Sequence, residues 1–136
     1  MPRILAIDYG TKRTGLAVTD PLQIIASGLE TVATAELIPY LENYLTSEEV
    51  ETIVIGEPFY PDGNPAQLAG TIRELARKLQ KRFPNVRIAL QDERFTSEDA
   101  KAIILQSGIK KKKRREKALV DKISAVLILQ DFLGHR

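Results

Sequence analysis

Four carboxylates fall where short apolar runs end or where a helix is predicted to begin. Asp8 ends one such run, Asp92 and Glu93 follow another, and Asp121 lies near the start of the last amphipathic segment. The 136-residue chain has no cysteine, and its single histidine, His135, is next to last. Thiolate zinc sites and cysteine nucleophiles are therefore excluded, and serine–histidine catalysis nearly so. Carboxylate oxygens suit Mg²⁺ or Mn²⁺, and clustered carboxylates with bound metal recurrently activate water against a phosphodiester.

Each of these acids also has an ordinary structural explanation. Asp8 could form a turn, and Asp92, Glu93 and Asp121 lie near predicted helix starts, where the helix macrodipole favours negative charge. Their combination favours a site, because three basic residues accompany them in sequence, namely Lys12, Arg13 and Arg94.

Hydrophobic periodicity predicts the elements that would position the acids. Strands are expected at residues 3–8 and 14–19, which would form a hairpin, and then around 23–32, at 52–56 and at 86–90. Helices are expected at residues 35–45, from an Asn64-Pro65 cap to about 83, from a Thr96 cap to about 106, and at 118–133. The expected apolar side of the last helix consists of Leu119, Ile123, Val126, Leu127, Gln130 and Leu133.

This order, three strands followed by alternating helices and strands, predicts the fold class. We expect an α/β fold with one mixed five-stranded sheet, a three-strand antiparallel meander plus two parallel strands, covered by helices on both faces. Residues 1–136 would form a single domain. Ligands of such sheets bind beyond the carboxyl ends of the parallel strands, where Asp8, Glu57 and the Asp92-Glu93-Arg94 segment are predicted to lie.

The charge distribution points to a polyanion as partner. Residues 110–117 hold seven basic residues and one acid, which leaves 13 basic and 17 acidic residues elsewhere in a chain of net charge +2. A mildly acidic body with one basic segment is typical of proteins that meet nucleic acid at a defined place, although a solvated loop would look the same. The short N-terminal apolar run and the lack of a long uncharged stretch predict a cytoplasmic protein without a membrane segment.

Four blocks of this sequence resemble the motifs of the YqgF family, also called RuvX. The blocks are residues 7–17 (IDYGTKRTGLA), 54–56 with 62–63, 92–97 (DERFTS) with Ala100, and 120–125 (VDKISA) with 128–130. They occur in the family's order and span nearly the whole chain. One departure concerns the family's usual Gly-Leu-Pro after the fourth strand, which is Gly56-Glu57-Pro58 here. Glu57 is open to two interpretations, an extra metal or water ligand or a salt-bridged loop acid.

The resemblance implies a ribonuclease H-like fold and a nuclease that trims the 5′ end of pre-16S rRNA. It places Asp8, Glu93 and Asp121 as catalytic residues that hold Mg²⁺ or Mn²⁺, and these are three of the four acids singled out above. The predicted substrate-binding residues of the first and third blocks are Gly10, Thr11, Lys12 and Arg94. The basic segment would add phosphate contacts through Lys110, Lys111, Lys112, Lys113, Arg114 and Arg115.

Several alternatives remain open at this stage. The family also resembles Holliday junction resolvases, so four-way DNA junctions are an alternative substrate, with either a monomer or a homodimer as the active form. A non-catalytic RNA-binding or ribosome-assembly module, in contact with ribosomal particles, is a second alternative. The turn at residues 8–15 also looks like the first phosphate loop of actin-like ATPases, but those enzymes close two such domains around a nucleotide.

Overall fold

The computed structural model describes residues 2–57, 68–92 and 117–134. Its elements, in chain order, are β1 (Arg3–Asp8), β2 (Arg13–Thr19), β3 (Ala26–Ala33), a 3₁₀ turn (Thr34–Glu36), α1 (Leu37–Ser47), β4 (Val50–Glu57), α2 (Ala69–Arg82), β5 (Arg87–Asp92) and α3 (Lys117–Leu133). The predicted Asn64-Pro65 cap and the predicted helix at residues 96–106 lie outside the described residues. No helix in the described ranges is long and apolar enough to cross a membrane.

The five strands form one sheet in the order β3-β2-β1-β4-β5. β1 pairs antiparallel with β2, and β2 pairs antiparallel with β3. β1 and β4 are parallel, as are β4 and β5. The predicted mixed sheet, a meander plus two parallel strands, is therefore confirmed. The carboxyl ends of β1, β4 and β5 lie at one edge of the sheet, which we call the carboxyl edge.

Side chains alternate between two faces of the sheet that differ in size. One face carries large aliphatic residues such as Leu5, Ile7 and Ile53, which are buried under α1 and α2. The other face carries smaller ones such as Ala6 and Ala17, which are buried under α3. Helices cover both faces, as expected. Because small side chains leave room for a helix backbone, α3 can approach its face, the α3 face, closely.

The predicted apolar side of α3 is correct only in part, since Leu127 is buried and Val126 and Leu133 pack against the core. The helix buries Ser124, Ala125, Leu127, Ile128 and Leu129, whereas the predicted residues other than Leu127 are only half-buried. α3 is apolar around most of its circumference, so periodicity alone could not choose its inner side. The small residues of the α3 face choose it instead. Asp121 shares this inner side, since it precedes Ser124, Ala125 and Ile128 by three, four and seven residues.

The third strand begins later than predicted, at Ala26. The preceding residues form a loop around Asp20, whose carboxylate accepts hydrogen bonds from the backbone N–H groups of Leu22, Ile24 and Ile25 at 3.2, 2.8 and 2.7 Å. The bond from Ile25 is the main reason that the pKa of Asp20 lies below its usual value. The predicted extended segment included residues 23–25, but the Asp20 carboxylate accepts the backbone donors of Ile24 and Ile25 that a strand would need.

Gly15 of β2 allows the closest approach of α3 to the sheet. A Cβ atom at this position would overlap the backbone carbonyl of Asp121 and lie 3.0 Å from the amide nitrogen of Lys122. These are backbone atoms, so a side chain at position 15 could be accommodated only by moving the helix.

We therefore expect Gly15→Ala to lower the free energy of unfolding by roughly 1–3 kcal/mol, the usual cost of overpacking a buried contact. Urea denaturation followed by circular dichroism would measure it. The matched control is Gly70→Ala in α2, where nothing lies within 4 Å of the new Cβ. That change should raise stability by up to about 1 kcal/mol, because alanine favours helix. A Gly15→Ala protein as stable as the parent would contradict the close packing of α3.

Candidate active site

Asp8 is the last residue of β1 and lies on the α3 face. Its cross-strand partner is Gly15, and residues directly opposite in an antiparallel pair point to the same face. The open side of Gly15 is the side against Asp121, so Asp8 belongs to that side as well. The side chain of Asp8 is half-buried. Asp8 therefore stands at the carboxyl edge next to the point where α3 rests on the sheet.

Asp121 reaches the same place from α3. Its backbone carbonyl lies over Gly15, and its Oδ2 accepts a hydrogen bond from Nε of Arg13 at 2.8 Å. The expectation that Asp121 lies in the first turn of its helix is wrong, because α3 already begins at Lys117. Favourable interaction with the helix dipole fades beyond the first turn, so it does not account for this acid. What the structure shows instead is an ion pair with the first residue of β2.

The turn between β1 and β2 carries the predicted substrate-binding residues Gly10, Thr11 and Lys12. Gly10 packs against the carbonyl oxygen of Arg13 so closely that a Cβ atom would not fit. Thr11 and Lys12 are exposed. The turn therefore presents a threonine and a lysine to solvent directly beside Asp8.

Thr34 fastens this turn, although no sequence motif singles it out. Its hydroxyl donates to the carbonyl of Gly10 at 2.6 Å and lies 2.9 Å from the hydroxyl of Thr14, while its backbone N–H donates to the carbonyl of Lys12 at 2.9 Å. Thr34 begins the 3₁₀ turn that follows β3. Only the pairing of β3 with β2 brings it to the turn, 24 residues away in sequence from Gly10.

Glu57 lies at the same edge of the sheet but serves the other face. It ends β4, its side chain is 11% exposed, and its Oε2 accepts a hydrogen bond from Nε of Arg73 at 2.7 Å. Arg73 belongs to α2, which covers the face opposite α3. The structure thus supports a salt-bridged acid at this position, although in a strand and not in a loop. Asp92, its partner in the register of β5, is exposed.

The remaining predicted site residues lie outside the described ranges. These are Glu93, Arg94 and the basic residues Lys110, Lys111, Lys112, Lys113, Arg114 and Arg115. Within the described ranges, residues 2–57, 68–92 and 117–134, no group of three acids or histidines is arranged to hold a metal ion. Asp8 and Asp121 nevertheless fit a hard divalent cation by their donor chemistry, because they bring carboxylate oxygens from two different elements to one face. Asp8 and Asp121 would supply two of the ligands of such a metal site.

Ser124 belongs to the fourth motif block but is not among the predicted site residues. It lies one turn after Asp121 on the inner side of α3, is 1% exposed, and its hydroxyl has no hydrogen-bond partner in the part of the chain that the structure describes. A buried, unsatisfied hydroxyl is uncommon in proteins and costs stability. The face that α3 buries is therefore polar at both Asp121 and Ser124.

Comparison with known proteins identifies the family. The family described as "RuvX: Holliday junction resolvase" matches residues 2–135. The chain belongs to the RuvX family. It is 53% identical over 136 residues to a protein of Flavobacterium psychrophilum named "Putative pre-16S rRNA nuclease", covering 100% of this chain and 99% of that one. A protein of Porphyromonas gingivalis with the same name is 53% identical over 135 residues, which cover 99% and 98% of the two chains.

Solved structures similar to this RuvX-family chain include two resolvases. The fowlpox virus Holliday junction resolvase superposes with a TM-score of 0.60 at 10% identity and covers 97% of each chain. Thermus thermophilus RuvC in complex with a Holliday junction substrate superposes with a TM-score of 0.55 at 17% identity, covering 98% of this chain and 97% of its own. At such low identity the likeness concerns the fold alone, which is ribonuclease H-like, as the resemblance implied.

The role of Thr34 can be tested through stability. Thr34→Val keeps the shape of the side chain but removes its hydroxyl, which leaves the Gly10 carbonyl and the Thr14 hydroxyl without this partner. We expect the free energy of unfolding to fall by about 1–3 kcal/mol, the cost of unsatisfied buried polar groups. Urea denaturation would measure the change.

Thr46→Val is the matched control for this substitution. The Thr46 hydroxyl also donates to a carbonyl at 2.6 Å, that of Asn43, but it does so on the exposed surface of α1. Its removal should change stability by less than about 0.5 kcal/mol, as surface substitutions usually do. Equal effects of the two variants would show that Thr34 does not fasten the turn.

Proposed function

We propose that this RuvX-family protein is a divalent-metal-dependent nuclease that processes the 5′ end of precursor 16S rRNA. One observation carries the proposal: Asp8 pairs with Gly15 across the hairpin and the backbone of Asp121 packs on Gly15, so both acids belong to the α3 face at the carboxyl edge. Two carboxylates from separate elements at the ligand-binding edge of an α/β sheet are the start of a metal site for phosphodiester hydrolysis. Relatives about half identical in sequence are named as nucleases of this precursor.

Glu93 is our third metal ligand. Strand side chains two residues apart share a face, and Ala89 of β5 packs on the α3 face with Ala6 and Val54. Residue 93 lies outside the described residues, so its assignment rests on the third motif block, DERFTS at residues 92–97, which resembles that of the RuvX family. The same period assigns Asp92 to the opposite face, beside Glu57, which agrees with their pairing in the register of the sheet.

Each residue has a distinct task in this reaction. Asp8, Glu93 and Asp121 would hold Mg²⁺ or Mn²⁺ through carboxylate oxygens. When bound, such ions activate water and stabilise the leaving oxygen of the phosphodiester. Thr11 and Lys12, presented beside Asp8 by the turn that Thr34 fastens, would bind the phosphate next to the scissile bond together with Gly10. Arg94 would add a second cationic contact.

The substrate class separates two candidate functions. Precursor rRNA is our first choice because the similar full-length relatives carry that name, and it implies a cytoplasmic enzyme that contacts ribosomal particles. Four-way DNA junctions are the second, because the family is described as a Holliday junction resolvase and resolvases share the fold. Junction resolution needs two coordinated cuts and hence a symmetric dimer, whereas a single active site suffices to trim an rRNA precursor.

The deciding experiment incubates the pure protein with precursor 16S rRNA fragments and with a four-way DNA junction, with and without Mn²⁺. We expect metal-dependent cleavage of the RNA. Asp8→Asn should abolish it while leaving the fold and nucleic-acid affinity nearly unchanged, because the change removes one charge from an edge carboxylate.

Glu57→Gln is the control for this experiment, since Glu57 lies at the same edge but faces α2, and it should cleave like the parent. Symmetric junction nicks with intact RNA would reverse our order of substrates. Undiminished cleavage by Asp8→Asn, with a contaminating nuclease excluded, would remove Asp8 from the site.

The basic segment at residues 110–115 should bind phosphates near the same edge, because the chain runs from it into the helix that carries Asp121. Replacing Lys110, Lys111, Lys112 and Lys113 together by glutamine should weaken binding to all sequences alike. It should also flatten the plot of log affinity against log salt, by about 0.7 for each single-strand phosphate that the variant no longer neutralises. Fluorescence anisotropy across a salt series would measure this. An unchanged affinity and slope would identify the segment as a solvated loop.

A further inference from the structure

Arg13 forms an ion pair with Asp121, the carboxylate that the proposed reaction needs as a metal ligand. Its Nε lies 2.8 Å from Oδ2 of Asp121, and the two residues are 108 positions apart in the chain. The Arg13 side chain is 40% exposed, whereas that of Asp121 is 23% exposed. The carboxylate is therefore held by α3 against the sheet, while the guanidinium has solvent around much of its surface and room to reorient.

We propose that Arg13 is a positioning residue that couples metal binding to nucleic-acid binding. In the free protein it is the counter-ion of Asp121 and competes with a divalent cation for that carboxylate. When a nucleic-acid phosphate reaches the turn beside Asp8, Arg13 donates to the phosphate instead of to Asp121 and releases that carboxylate. This inference rests on the proposed function, because it takes Asp121 as a metal ligand.

The competition follows from charge and geometry. An arginine nitrogen that donates to Oδ2 occupies one of the oxygen directions that a cation would use, and its positive charge repels a divalent ion. Guanidinium groups form bidentate hydrogen bonds with phosphate as well as with carboxylate, so a phosphate can replace Asp121 as the partner of Arg13. Arg13 adjoins Lys12, the exposed cation of the turn, and therefore lies where a phosphate bound by that turn would arrive.

A second ion pair shows what a purely structural arginine would look like here. Arg73 donates from the same atom, Nε, to Glu57 at 2.7 Å, at the same edge of the sheet. This pair lies on the α2 face, away from Asp8 and Asp121, and Glu57 is 11% exposed. Arg73 thus serves as a matched control. It makes the same type of ion pair as Arg13 at the same edge of the sheet, but on the opposite face.

The coupling has a thermodynamic signature. If nucleic acid draws Arg13 from Asp121, it raises the affinity for the metal, and the metal must raise the affinity for nucleic acid by the same factor. An arginine that only stabilises the fold would produce neither effect. Its removal would instead leave Asp121 less well held and would weaken metal binding.

The first test measures Mn²⁺ affinity by electron paramagnetic resonance in the absence of nucleic acid. We expect Arg13→Gln to bind Mn²⁺ about tenfold more tightly than the parent, a factor that corresponds to about 1.4 kcal/mol. Arg13→Lys, which keeps the positive charge, should bind like the parent, and so should Arg73→Gln. Thermal melting would confirm that each variant is folded. An equal or weaker Mn²⁺ affinity of Arg13→Gln would overturn the proposal.

The second test repeats the titration with a 12-nucleotide RNA from the precursor sequence, whose integrity is checked on a gel afterwards. The parent should bind Mn²⁺ several-fold more tightly with the RNA than without it, and Arg13→Gln should lose most of this difference. A coupling factor unchanged in Arg13→Gln would overturn the role of Arg13 while leaving the nuclease proposal intact. If the parent binds no Mn²⁺ under any condition, the proposed function fails and this inference fails with it.

Discussion

The contact between the backbone of α3 and Gly15 is the constraint on which the site depends. No side chain can stand between them, because a Cβ atom on Gly15 would overlap the Asp121 carbonyl. The neighbouring positions on this face follow the same requirement, with Ala6 and Ala17 buried under the helix and Gly28 open where the stem of Lys122 crosses β3. A sheet face with alanine and glycine side chains buries less apolar surface than one with leucine and isoleucine. The short side chains also let α3 pack close to the sheet, which brings Asp121 of the helix to the same edge as Asp8 at the end of β1.

The two faces of the sheet therefore have different tasks. Leu5, Ile7 and Ile53 belong to the larger of the two core clusters, under α1 and α2, and the α3 face buries a smaller cluster beside the candidate site. The alternation of side chains along the strands also determines which face each acid at the carboxyl edge lies on. Glu57 turns to α2, where Arg73 neutralises it, and Asp8 turns to α3. Acids at the same edge thus face different helices according to a difference of one residue in strand position.

The sequence was sufficient for the sheet and insufficient for much of the site. Short β-branched runs, turn residues and the order of elements predicted the mixed sheet and its strand directions correctly, because these depend on local pattern and on few allowed connections. The inner side of α3 was predicted only in part, since a helix that is apolar nearly all round carries no decisive period. The apolar residues before Ala26 looked like a strand, whereas Asp20 takes their backbone donors. Thr34 and the partner of Arg13 depend on contacts made only after the sheet has formed.

Electrostatics explains why one short segment carries so much of the site. Asp8 and Asp121 bring two negative charges to one face, and such an arrangement is costly in the free protein unless cations accompany it. The chain supplies a cation five residues after Asp8, in Arg13, and the hairpin between them fixes where it stands. Asp8, the turn with Lys12, Arg13 and Gly15 thus form one continuous unit of eight residues. It provides an acid, an exposed lysine, the counter-ion of the second acid and the glycine against which that second acid's helix packs. A unit of this kind tolerates little independent variation, because a change in the length of the turn would displace all of its functions together.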